Sequence, residues 1–190
     1  MRSPALTDAD DRLDEALRET FPASDPVILD RVAGKENWDV ANDLRRLEVA
    51  HLNRLAAETL ALYVATKGCR WHISGPRRHD HQRLLDELAT RLLASLDGLT
   101  ERVRKLGAGT ISSIWDVETH ASRRCPPMCS APEMLGWLLG ETRSLATLMH
   151  DCRRLAETAG DIATSGLLEP WIEDAEGRCL LLQDAINHAN

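Results

Sequence analysis

Leu85, Leu88, Leu92, Leu96, Leu99, Val103 and Leu106 follow one another at steps of three and four. Only an α-helix brings that spacing onto one face, because its period is 3.6 residues. Three more segments carry the same pattern. Residues 39–66 include Leu44, Leu47, Leu52, Leu55 and Leu62. A third segment starts near Pro132, a residue suited to a first helical turn, and runs through Leu135, Leu138, Thr142, Leu145, Met149, Cys152, Ala156 and Ala159. The fourth starts near Asp161, a good N-cap, with Leu168, Ile172, Ala175, Cys179, Leu182 and Ile186 inward; Gly166 and Pro170 predict a kink in its first third. Four amphipathic helices need each other to bury these stripes, and 190 residues suffice for one such domain. A β-sandwich or barrel is excluded by the single Phe and single Tyr, since such cores lean on aromatic side chains. No apolar run approaches the roughly 18 residues of a membrane helix.

The connections set the topology. The second segment covers residues 80–106, and the link from the first is short and broken by Gly68, Gly75 and Pro76. The third turns into the fourth at Gly160. Both links imply antiparallel neighbours. Between the second and third lie residues 107–131, long enough to run back along a helix of ~40 Å and to carry a short helix around 111–119. Two hairpins joined by one long crossover make an all-α, ferritin-like four-helix bundle over residues 38–190.

Residues 1–37 form a separate, partly extended tail with Pro4, Pro22 and Pro26 and one short helical stretch at 8–20. Through Asp30 it carries eight acids against three arginines. It reads as a solvated segment that docks Phe21 and residues 27–29, or as an arm for a protein partner, but its sign is wrong for grasping DNA. No signal peptide opens the chain, and its five cysteines are scattered, so reduced thiols and a cytoplasmic location are expected.

The second helix holds the acids that invite chemistry. Asp86 and Asp97 are eleven residues apart, which leaves them about 20° apart around the axis, and Glu101 follows one turn on. They are also ~16 Å apart along the axis, too far to share one ion. Two such helices packed antiparallel across a two-fold axis would bring Asp86 of one copy to Asp97 and Glu101 of the other, creating two oxygen-rich sites. Without that pairing, the same acids are an outward charged face.

The stretch KGCRWHISGPRRHDHQRLLDELATRLLASLDGLTERVRKLG, with LNRLAAETLALYVATK before it and GDIATSGLLEPWIEDAEGRCLLL after it, resembles the Dps-type mini-ferritins. The resemblance implies hollow dodecamers that oxidise Fe(II) between two-fold-related subunits, store the ferric product and protect DNA from oxidative stress. It implies metal-binding roles for Asp86, Asp97 and Glu101. It also exposes a departure: the histidine before the motif tryptophan, Trp71, is Arg70, and the second histidine is Gln82. Guanidinium cannot donate a lone pair to iron. The expectation is therefore a cage subunit for iron sequestration whose ferroxidase centre is weakened or lost, with Arg70 as a counter-ion for the acids. The rival expectation is a non-catalytic shell protein that co-assembles with an active paralogue or binds a partner through residues 1–37.

His72, His79 and His81, near Asp80 and Cys69, make either an alternative metal site or exposed histidines at a helix start. His120, Cys125 and Cys129 offer Zn(II) only three ligands, so zinc is not expected and free thiols are. Cys152 and Cys179 read as small core hydrophobes. Trp38, Trp115, Trp137 and Trp171 read as core or interface side chains, and Trp71 as packing near a dimer axis. Arginine pairs at 45–46, 77–78, 123–124 and 153–154 sit on a chain of net charge −7, so direct DNA binding is not expected.

Overall fold

The computed structural model describes residues 34–121 and 130–187, with residues 34–40 as backbone. The tail with Phe21 and residues 27–29, the side chain of Trp38, and Arg123, Arg124, Cys125 and Cys129 lie outside the described residues. The chain divides into two compact units, Met1–Val40 and Ala41–Asn190, and the side chains below belong to the second. Five helices are present among the described residues: α1 Gly34–His72, α2 Arg78–Lys105, α3 Ile114–His120, α4 Ala131–Thr158 and α5 Ile162–Asn187.

Each helix end has a local cause. After α2, the N–H groups of Gly107 and Ala108 bond to the carbonyls of Arg104 and Val103; after α4, those of Gly160 and Asp161 bond to Glu157 and Ala156. This paired closure needs a left-handed residue, and Gly107 and Gly160 supply it at φ +84° and +72°. The Glu133 carboxylate accepts from the Ser130 N–H and hydroxyl to open α4. Asp161 opens α5 by accepting from the Thr164 N–H at 3.0 Å. The break between α1 and α2 falls at residues 73–77, so Gly68 and Trp71 are helical, beyond the end expected from the sequence. Ile73, 2% exposed, plugs that end of the bundle. The crossover helix sits at Ile114–His120, and Asp116 holds its start through the Ser112 and Ser113 N–H groups. α5 is a single helix through Pro170: only one backbone bond is forfeited there, while Leu168 and Ile172 on either side stay in the core.

Side-chain bridges fix the directions. The Gln82 amide reaches the Arg70 carbonyl, and Asn53 reaches the Gly109 carbonyl, so α1 and α2 are antiparallel. Arg91 pairs with Asp174 and Arg102 with Asp161, so α2 and α5 are antiparallel. Arg153 pairs with Glu169 and Arg143 donates to Gln183, so α4 and α5 are antiparallel. Hence α2 and α4 run the same way, and the crossover must travel the length of α2, about 42 Å for its 28 residues.

Leu52, Leu55 and Leu62 from α1, Leu85, Leu92 and Leu99 from α2, Leu135, Leu138 and Met149 from α4, and Leu168 and Leu182 from α5 meet in one core. Leu47, expected on the inner stripe, is 47% exposed, because Glu48 takes the inward position and its neighbour turns about 100° away. Cys152 is in the core, where burial pushes its thiol up to about 12. Trp171 lies on Gly98, where a Cβ would fall 2.7 Å from the indole ring. Trp137 also packs on the core. Trp115 and Trp71, by contrast, are 72% and 62% exposed.

Candidate functional site

Lys67 and Arg70 lie three apart on α1 and share a face. The antiparallel partner helix sets Asp86 opposite them. Lys67 Nζ is 2.7 Å from Asp86 Oδ1, and Arg70 Nε donates to both oxygens at 3.0 and 3.2 Å. The hydrogen bond from Lys67, with further help from Arg70, outweighs the desolvation cost and holds the Asp86 carboxyl below its ordinary value. Gln82 does not touch Asp86; its amide donates to the Arg70 carbonyl at 3.3 Å and ties the last turn of α1 to α2.

Asp86 and Asp97 line one groove of about 600 Å³, together with Tyr63, Lys67, Thr90, Leu93 and Ala94. Asp97 is exposed and forms no ion pair among the described residues. Glu101 lies in an adjoining hollow with Arg104 and is 3.5 Å from Lys105. The three acids thus share one side of α2 but do not converge within a chain.

The histidines are not gathered. His72 bonds the Gly68 carbonyl through Nδ1 and is exposed, as is His79. His81 is 5% exposed, and neither ring nitrogen has a hydrogen-bond partner. Burial, helped by Arg77 and opposed by Asp80, lowers its proton affinity, so it sits neutral in an apolar setting. His120 bonds the Asp116 carbonyl. Among the described residues, no three His, Cys, Asp or Glu side chains come together where they would hold one metal ion.

Sequence reasoning missed Lys67. The signal was available: it stands one turn before Arg70, on the face that an antiparallel neighbour must meet. A second missed cluster lies at the far end of the bundle. Glu48, 3% exposed, is buried beside Thr164 and Asp161, and Arg102 pairs with Asp161 and donates to Thr164 at 2.8 Å. Burial raises the Glu48 carboxyl, and Asp161 raises it further. Burial pulls Asp161 the same way, but hydrogen bonds from Arg102 and Thr164 overcome it and hold Asp161 low.

Can Asp86 hold iron as it stands? Both its oxygens already accept from cations, and neither the Arg70 guanidinium nor Gln82, whose amide nitrogen is tied to the Arg70 carbonyl, supplies an imidazole nitrogen. The residues present do not fit a ferrous ion at this carboxylate unless Lys67 and Arg70 move away.

Comparison with known proteins agrees with this architecture. Residues 49–189 match the ferritin-like domain family. The DNA protection during starvation protein of Brevibacillus brevis is 27% identical over 127 residues, covering 66% of this chain and 85% of that protein. The Dps crystal structure from Bacillus brevis superposes with a TM-score of 0.72 at 26% identity, over 76% of this chain and 97% of that one. The Thermosynechococcus elongatus Dps structure gives 0.75 at 22% identity, over 77% and 94%. The chain therefore belongs to the ferritin-like family, with Dps-type mini-ferritins as its relatives in both sequence and fold.

Proposed function

We propose that the chain is a Dps-type cage subunit that sequesters iron and protects against oxidative stress, with a ferroxidase centre weakened by its own side chains. The single observation that carries this reading is the Lys67–Asp86–Arg70 ion set, which fills the carboxylate that would take iron. The relatives support the cage role, and the dodecamer is the assembly this fold implies. Binding of iron is then weak at the paired sites. Direct DNA binding is not part of the proposal. Of the arginine pairs described, Arg46, Arg77, Arg153 and Arg154 already face acids. No helix among the described residues is long and apolar enough to cross a membrane.

The test is anaerobic Fe(II) loading of the full chain followed by air, with ferric absorbance recorded. The wild type should oxidise iron slowly. A variant carrying Lys67→Met, Arg70→His and Gln82→His, which vacates Asp86 and restores two imidazoles, should be faster by at least about tenfold. Equal rates in the two proteins would sink the weakened-centre reading. The same ion set also favours a second reading, a purely structural shell subunit. In that case the assembled protein retains no ferric core after loading, and the paralogue or partner met through residues 1–37 supplies the chemistry.

A further inference from the structure

The groove along α2 is electrically two-ended. At one end, Lys67 and Arg70 together meet the single carboxylate of Asp86, which leaves one surplus positive charge. Arg70 engages Asp86 through Nε, and its two terminal nitrogens make no hydrogen bond among the described residues. At the other end, among the described residues, Asp97 is exposed without an ion pair and Glu101 has only the long, exposed contact to Lys105. Eleven residues, ~16 Å, separate the ends, so neither can satisfy the other within one chain. Between them lie Thr90, Leu93 and Ala94, with Leu93 46% exposed in the groove.

A two-fold axis through the middle of this stretch solves both problems at once. It sets Leu93 against Leu93 of a second copy, and it brings each cationic end onto the other copy's acidic end. We infer that Lys67 and Arg70 are an ion lock, joining Asp86 of one copy to Asp97 and Glu101 of the next. Apolar Leu93, Ala94 and Tyr63 would dry the contact, where reversing or removing one partner leaves the other charge buried and unpaired, so the pairing of ends selects this register. The inference rests on the reading above that copies pair through this face, and it adds what holds them.

Analytical ultracentrifugation of the full chain, with helical content checked by circular dichroism, tests it. The wild type should associate equally well with or without EDTA, and more weakly as NaCl rises from about 0.05 to 1 M. Reversing one end, by Lys67→Glu with Arg70→Glu or by Asp97→Lys with Glu101→Lys, should weaken pairing by about 100-fold or more. Combining all four reversals restores opposite charges across the axis and should restore association. If the doubly reversed α1 end unfolds, Arg70→Gln and Asp97→Asn, each alone, should still weaken pairing and steepen no salt dependence. Failure of the four-fold variant to re-associate, or loss of wild-type association in EDTA, overturns the lock. Leu93→Arg separates the two levels. If it leaves association intact, copies do not meet through this face and the pairing itself falls. If it abolishes association while the reversals do nothing, pairing stands and the lock alone falls.

Discussion

Two carboxyl clusters sit at opposite ends of the α1–α2 hairpin, and they handle excess charge in opposite ways. At the Asp86 end, one acid meets two cations, and all three side chains are a quarter to two-fifths exposed. At the Glu48 end, two acids meet one cation, Arg102, and all are less than a fifth exposed. Water reaches the first cluster, so a surplus positive charge is tolerated there and remains available to a neighbour. The second is largely buried, so its surplus acid is harder to ionise: Glu48 is raised, chiefly by burial, while Asp161 is held low by Arg102 and Thr164. The sealed cluster binds three helices into one chain. The open one is built to meet something outside it.

The sharpest way to break this contrast is at Arg102. Arg102→Met removes the one cation from the sealed cluster and leaves Asp161 buried without its charge partner. A loss of about 3–5 kcal/mol is expected, seen as a lower urea midpoint at neutral pH. An unchanged midpoint would mean that water enters this end freely and that the two clusters are not different in kind.

Glu48→Gln sharpens the same comparison through pH. The folded value of Glu48 lies above the unfolded one, near 4.3. Its contribution is therefore complete below about pH 4.3 and fades as pH rises through the raised folded value. Glutamine keeps a neutral hydrogen bond and cannot ionise. The variant should gain on the order of 1 kcal/mol over wild type at neutral and alkaline pH and nothing in acid, read from thermal midpoints across pH. A parallel pair of curves would show that Glu48 is no harder to ionise in the fold than in the unfolded chain.

Much of the architecture was legible because it follows from spacing. The Leu85–Leu106 stripe, Gly107 and Gly160 as helix stops, Asp161 as a cap and the long crossover each depend on local sequence alone. What was not legible depends on which residue of one helix meets which of another. Glu48 has the inward register of Leu52 and Leu55, yet an acid in that position reads as a surface residue until Arg102 and Thr164 are placed beside it. Lys67 was hidden for the same reason, whereas Arg70 stood out only because a family motif marked its position. His81 shows the limit from the other side. A histidine beside His79 and Asp80 reads as exposed, but α2 begins so that position 81 turns into the core with both nitrogens unpaired.

The smallest effect should come from the open cluster, and that smallness is itself informative. Asp86→Asn removes the acid held by Lys67 and Arg70, but all three groups are partly hydrated, so the fold should change by less than about 1 kcal/mol at neutral pH. The folded value of Asp86 lies below the unfolded one, so its contribution is present above about pH 3.9 and is lost as the pH falls below that. Urea midpoints of Asp86→Asn and wild type should therefore differ little at pH 7 and converge as the pH falls through the lowered folded value of Asp86. A loss as large as that from Arg102→Met would mean the ion set serves the fold of the single chain. A small loss means that the ion set is not needed by the fold of the single chain, which is what a lock between copies requires.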